Sequence, residues 1–164
     1  MKHVPLLALM CGAILFGQPV FSGATNTDST VALASQKTFT AEELAKGEEL
    51  NRQGRAMFKF APDQAIETLK IATDYGSARA AMLLGLVYKQ GKFAPKDMGQ
   101  YYRYLMMAAD YGDADAQTIL GMDYIVGTED LAPDLLLGTH YLRLAAQQGQ
   151  PQAQQALRTL NMTW

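Results

Sequence analysis

A nine-residue phrase occurs twice in this chain, 36 positions apart: Ala72-Thr73-Asp74-Tyr75-Gly76-Ser77-Ala78-Arg79-Ala80 and Ala108-Ala109-Asp110-Tyr111-Gly112-Asp113-Ala114-Asp115-Ala116. A worn third copy runs from Ala145 to Ala153. Self-similarity at a period of roughly 20 to 50 residues marks an array of stacked units, because no single unit can bury its own apolar face. The expected architecture is therefore all-α: a right-handed α/α solenoid of about three helix-pair repeats with a C-terminal capping helix. Such a fold offers a binding surface more readily than a catalytic pocket.

A second phrase keeps step with the first. Phe60-Ala61-Pro62-Asp63, Phe93-Ala94-Pro95-Lys96-Asp97 and Leu131-Ala132-Pro133-Asp134 each place an apolar residue, Ala, Pro and Asp ahead of a helical pattern. Proline suits a first helical turn, where its missing N–H has no partner to lose, and aspartate suits the positive end of a helix. Each phrase thus starts the second helix of a pair. The first helices of the two clear units are expected over about 78–90 and from 116 onward, with stripes Ala80, Leu84, Tyr88 and Ala116, Leu120, Tyr124. The partner helices carry Tyr101, Leu105, Ala108 and Gly138, Leu142, Ala145, and glycines follow at 91, 112, 127 and 149. Gly85 and Gly121 fall at equivalent places inside the first helices. A mid-helix glycine costs about 1 kcal/mol against alanine, so both predict a close helix crossing.

Order is expected to begin at Thr40, which forms a capping box with Glu43, while Phe39 and Leu44 stand at hydrophobic-staple positions. This helix is expected to run to about Arg52, with exposed pairs Glu42–Lys46 and Glu48–Arg52 and Gly54 as a left-handed stop. Upstream, Lys2 and His3 precede an apolar run from Val4 to Phe16, followed by small residues from Ser22 to Ala24. That order describes a secretory signal peptide, too short for a membrane span. The preferred cleavage point follows Ala24, with Ser22 second. Cys11, the only cysteine, follows Met10 rather than a small residue, which argues against a lipoprotein. The expected division is signal peptide 1–24, flexible Ser/Thr-rich leader 25–38 and solenoid 39–164, in units of about 40–77, 78–113 and 114–150 with a cap at 151–164. Cleavage at Ala24 leaves no cysteine, so an exported, periplasmic or secreted domain would be held by its core alone.

The order Ala, Leu-Gly, Tyr, Gly, Asp, Ala-Ala, Gly resembles the Sel-one-like repeat (SLR) family, relatives of the tetratricopeptide repeats. The resemblance covers Ala78 to Gly112 and Ala114 to Gly149, and rests on Leu84-Gly85-Leu86-Val87-Tyr88 returning as Leu120-Gly121-Met122-Asp123-Tyr124. A degenerate first unit from Thr40 to Gly76 has Gly47-Glu48 and Asn51 where Leu-Gly and Tyr are expected; the last segment has Arg158 and Asn161 there. Polar residues at both ends suit solenoid caps. Trp164 is expected either to fold back over the last pair or to fray.

The composition leaves little for catalysis. His140, alone on a helix beside Tyr141, reads as a packing or surface residue, and Ser77 at a turn has no orienting base. The carboxylates Glu129, Asp130, Asp134 and Asp110, Asp113, Asp115 match no calcium loop and read as solvated helix starts. We expect no enzyme, no metal and no cofactor. Without Lys2 the balance is 13 basic to 16 acidic residues, which excludes a nucleic-acid footprint. The charge is uneven: 37–103 holds 11 basic and 8 acidic residues, 104–164 only 2 and 7. That asymmetry could orient a charged partner, or be no more than ordinary solvated faces.

The resemblance implies that the first helices line an inner groove. Residues off their core stripe are then the candidates for partner binding: Arg79, Met82, Leu86, Lys89 and Gln90 in one unit, Asp115, Thr118, Met122, Ile125 and Val126 in the next. This series is apolar for a solvent-facing surface, as protein contacts are. The rival reading places some of them in the core, with the helical phase shifted by one. The functional expectation is an exported, monomeric adaptor that grips one protein partner, as an immunity protein against a secreted toxin or effector. The alternatives are a scaffold subunit of an envelope assembly and a peptidoglycan-binding or hydrolysing protein.

Overall fold

The computed structural model describes residues 37–164. The signal peptide expected over 1–24 and nearly all of the leader expected over 25–38 lie outside the described residues. Seven helices follow one another: α1 Ala41–Met57, α2 Pro62–Asp74, α3 Ala78–Gln90, α4 Met98–Asp110, α5 Ala114–Val126, α6 Leu135–Gln147 and α7 Pro151–Thr159. They form the pairs α1/α2, α3/α4 and α5/α6, each stacked on the next, with α7 packed chiefly on α6. This is an all-α solenoid, and the described residues contain no strand, only an isolated bridge between Thr128 and Leu131.

The repeated phrase turns out to encode a helix stop and a helix start in one. After α2 the Gly76 N–H donates to Thr73 O at 2.9 Å and the Ser77 N–H to Ala72 O at 3.1 Å; after α4 Gly112 and Asp113 repeat this to Ala109 and Ala108 at 3.0 and 2.9 Å. These paired bonds satisfy the last carbonyls of each helix and need a left-handed residue, supplied by Gly76 (φ 82°) and Gly112 (φ 91°). The next residue is already the cap of the following helix: Ser77 Oγ accepts from the Ala80 N–H and Asp113 Oδ1 from the Ala116 N–H. The same stop closes α7, with Asn161 at φ 53° and the Met162 N–H donating to Leu157 O.

The core repeats with the phrase. Ala80 and Leu84, Ala116 and Leu120, Ala153 and Leu157 are fully buried at equivalent positions of α3, α5 and α7, clustered in turn with Leu69 and Ala72 of α2, Leu105 and Ala108 of α4, and Leu142 and Ala145 of α6. Tyr88 stacks on Tyr104 with ring centroids 5.7 Å apart, and Tyr124 on Tyr141 at 6.2 Å, closing each pair at the same level.

Several local expectations are corrected. Helix α1 passes through Gly54 to Met57, because Gly54 is a buried crossing point where a Cβ would stand 2.9 Å from Leu69 Cγ, not a stop. Of the three prolines in the second phrase only Pro62 opens its helix; Pro95 and Pro133 stay in the connections, and Asp97 and Asp134 cap α4 and α6 instead. The Thr40–Glu43 box forms, and its bond from the Thr40 N–H holds the Glu43 carboxyl below the usual range. Phe39, however, lies edge-on to Tyr111 at 5.2 Å and over Gly76, while Leu44 stays exposed. The pairing along α1 also differs: Arg52 meets Glu49, whereas Lys46 and Glu48 reach the next turn, at Tyr75 Oη (2.8 Å) and Ser77 Oγ (2.7 Å). Such bonds tie α1 to the turn between α2 and α3. The terminus folds back, with Arg143 Nε donating to Thr163 O and the Arg158 guanidinium 5.1 Å from the Trp164 ring.

Asn51 does not serve as a polar outer cap. It is 2% exposed and its Oδ1 has no hydrogen-bond partner. A buried unpaired carbonyl costs about 1–3 kcal/mol, and asparagine is the poorer helix former. Asn51→Ala is therefore expected to raise stability by about 1 kcal/mol in urea unfolding, the lost packing offsetting part of the gain. A drop of that size would show that the amide is satisfied.

Candidate partner-binding face

The ten candidate residues lie on α3 and α5, and the structure treats them unequally. On α3, Met82 and Leu86 are partly buried while Arg79, Lys89 and Gln90 are exposed. Arg79 stands 3.9 Å from Glu48 of α1. The Lys89 ammonium lies 4.7 Å over the Tyr101 ring and donates to its hydroxyl at 3.4 Å; burial pushes that phenol up to about 12. The first half of the series is thus a charged, internally engaged surface.

On α5 the picture changes. Thr118 is 6% exposed and its hydroxyl donates to Ala114 O at 2.7 Å, so it belongs to the helix interior and offers nothing to a partner. Asp115 is exposed and accepts from the Gln150 side chain at the start of α7. Met122 and Val126 remain 47% and 79% exposed, and together with Ile125 they line a groove of about 640 Å³. The opposite wall is α7, through Pro151, Gln152, Gln155, Ala156, Thr159 and Leu160.

That wall was missed in the sequence, although a signal for it existed. Aligning the buried leucines Leu84, Leu120 and Leu157 sets Leu83 and Ile119 against Ala156, and Leu86 and Met122 against Thr159. Leu83 packs on the cluster shared by α2 and α3, and Ile119 on the one shared by α4 and α5. At the corresponding place α7 presents only a methyl group, and one turn later a threonine. Large-to-small replacement leaves volume that the neighbours do not fill. The groove therefore opens at the last repeat.

The remaining polar chemistry is structural. Asp134, Asp113 and Asp97 cap helices. Burial pushes the Asp110 carboxyl up, countered by the Tyr141 hydroxyl that donates to it at 3.3 Å. Asp123 and Thr128 share the Tyr102 hydroxyl at 3.2 and 3.0 Å, which pins the loop carrying Glu129 and Asp130. His140 is exposed, its ring 5.8 Å from that of Tyr141. Among the described residues no group of three His, Cys, Asp or Glu side chains could hold a metal, and no helix is long and apolar enough to cross a membrane. What the face offers is apolar area bordered by charge.

No family model matches the chain, and no curated protein does. Solved structures do match. A Sel1 repeat protein from Oxalobacter formigenes superposes with a TM-score of 0.61 at 26% identity, over 73% of this chain and 50% of that one. A protective antigen present in uropathogenic Escherichia coli strains, displaying an SLR fold, gives 0.59 at 27% identity, over 73% of this chain and 28% of its own length. The chain thus spans half or less of the length of these two structures.

Proposed function

From the SLR fold of the described residues, we propose that this chain is an exported interaction module that grips one protein partner in the α5–α7 groove. The observation that carries this reading is the exposure of Met122 and Val126 on a groove of about 640 Å³ between α5 and α7. Apolar side chains left in water at a concave site gain about 1.5–3 kcal/mol each when a partner covers them. Two or three such anchors contribute about 3–9 kcal/mol against the entropic cost of association, the rest of the contact supplying the surplus. Stacked repeats supply the rigid frame such a surface needs.

Within this reading we place the protein in the cell envelope as an immunity protein that neutralises a secreted toxin or effector. The signal-like order of Lys2, the apolar run Val4–Phe16 and the small residues to Ala24 supports export. A cysteine-free solenoid whose conspicuous residues are spent on helix stops, caps and core is suited to occupying another protein.

The test combines capture and protection. Met122→Lys with Val126→Lys, at positions that already reach solvent, should leave the helical spectrum and Tm unchanged while abolishing crosslinked partner capture in intact cells. Co-expression with the product of the adjacent gene should give a complex and relieve its toxicity. Unfolding of the double variant would return these side chains to the core, and a pair giving neither complex nor protection would end the immunity reading.

A further inference from the structure

Resting on that reading of the groove, we propose that its occupant is a basic amphipathic helix, with an apolar stripe for the groove and lysines or arginines on its flanks. Charge along the face changes sign at the groove. Where α3 carries Arg79 and Lys89, the equivalent α5 positions are Asp115 and Ile125. From Tyr104 to Trp164 there are 7 acidic residues against 2 basic. Both basic residues are engaged with the C-terminal tail: Arg143 with Thr163 O at 3.2 Å, Arg158 with the Trp164 ring.

Three of these acidic residues flank the groove, while Asp113 and Asp134 cap helices and Asp110 and Asp123 meet tyrosine hydroxyls. Asp115 is held beside its Pro151 end by the Gln150 side chain. Glu129 and Asp130 follow Val126 at the other end, in a loop fixed by the Thr128 N–H to Leu131 O bond at 2.9 Å and by Tyr102. The walls between are neutral. A partner with an apolar centre and positive flanks meets each zone with its complement, and an acidic one is repelled at both ends.

A helix fits this groove better than an extended strand. The described residues offer no sheet edge to pair a strand's backbone, and the α7 wall is mostly apolar or small. A helix satisfies its own N–H and C=O groups and brings only side chains to the contact. Nine residues of α7 span about 14 Å at about 1.5 Å per residue, matching roughly two and a half turns of an occupant.

Fluorescence anisotropy with two probe peptides of about 14 residues tests this. One carries leucine at i, i+3, i+4 and i+7 with lysine elsewhere; its twin carries glutamate for lysine. The lysine peptide should bind at least about 10-fold tighter than the twin, with the advantage shrinking as salt rises from about 0.1 to about 0.5 M. The Glu129→Gln, Asp130→Gln double variant should lose most of that preference, and Ala156→Trp should lower binding about 10-fold or more by filling the groove. If Ala156→Trp loses its helical spectrum, Thr159→Leu, which returns the bulk of Leu86 and Met122 to that position, takes its place. Equal binding of the twins, lost together on filling the groove, would overturn the charge inference and leave the groove standing. Binding of the lysine peptide that survives groove filling, or no binding of either peptide, would overturn both.

Discussion

Gly138→Ala is expected to destabilise the protein by about 1–3 kcal/mol, while Gly85→Ala leaves it unchanged or raises its stability by up to about 1 kcal/mol. A Cβ at Gly138 would stand 2.7 Å from the Gly121 carbonyl oxygen and 2.7 Å from Ile125 Cγ1; one at Gly121 would stand 2.8 Å from the Gly138 oxygen. Two glycines face each other there, and the backbones of α5 and α6 meet with nothing between them. Relief would require moving backbone, so the overpacking penalty exceeds the helix-propensity gain. At Gly85 the nearest atoms are Tyr101 O at 3.5 Å and Tyr101 Cδ2 at 3.6 Å, an ordinary van der Waals contact. The repeat explains the contrast, because Gly138 and Tyr101 are equivalent positions, and the tyrosine keeps α4 further from α3 than the glycine keeps α6 from α5. Urea unfolding of the two variants with unchanged m-values is the measurement. Equal stability of the pair would show that the α5/α6 crossing is looser than described.

Leu120→Ala should cost about 2–5 kcal/mol and lower the protection of the whole domain, since Leu120 is fully buried in a cluster with Ala81, Tyr101, Tyr102 and Leu105 that spans α3, α4 and α5. Leu157 is its repeat equivalent and equally buried, but the buried members of its cluster come from α6 and α7 alone, with only the partly buried Ala114 and Ile125 of α5 packed against them. In a linear array each unit feels mainly its neighbours, so loss at the end unravels the end. Leu157→Ala is thus expected to speed hydrogen exchange of α7 amides strongly and of α3 and α4 amides little. Exchange that rises uniformly in both variants would mean the array melts as one unit.

Much of the fold was legible because the repeat writes its own punctuation. Gly76-Ser77 and Gly112-Asp113 act through residues adjacent in sequence, as stop and cap, so their meaning needs no tertiary knowledge. The helix expected over about 78–90 is α3, and the stripes Ala80–Leu84 and Ala116–Leu120 are core. Where a residue's role depends on what faces it, sequence logic faltered. Gly54 has the composition of a stop but lies against Leu69, and Lys46 and Glu48 left their own helix for Tyr75 and Ser77.

The candidate site divides the same way. Met122, Ile125 and Val126 could be named as off-stripe positions of α5, but Thr118, a position of the same kind, points inward. The wall formed by Ala156, Thr159 and Leu160 went unread because a small residue is silent until a neighbour is known to need its space.

By itself, then, the sequence determined the repeat, the helix boundaries near its glycines and capping residues, and the buried stripes, all of which follow from local backbone geometry and helical period. The tertiary structure decided which glycines are crossings, which charges reach across units and where the face opens. Those depend on distances between residues about 15 to 40 positions apart, set by side-chain volumes on both partners at once.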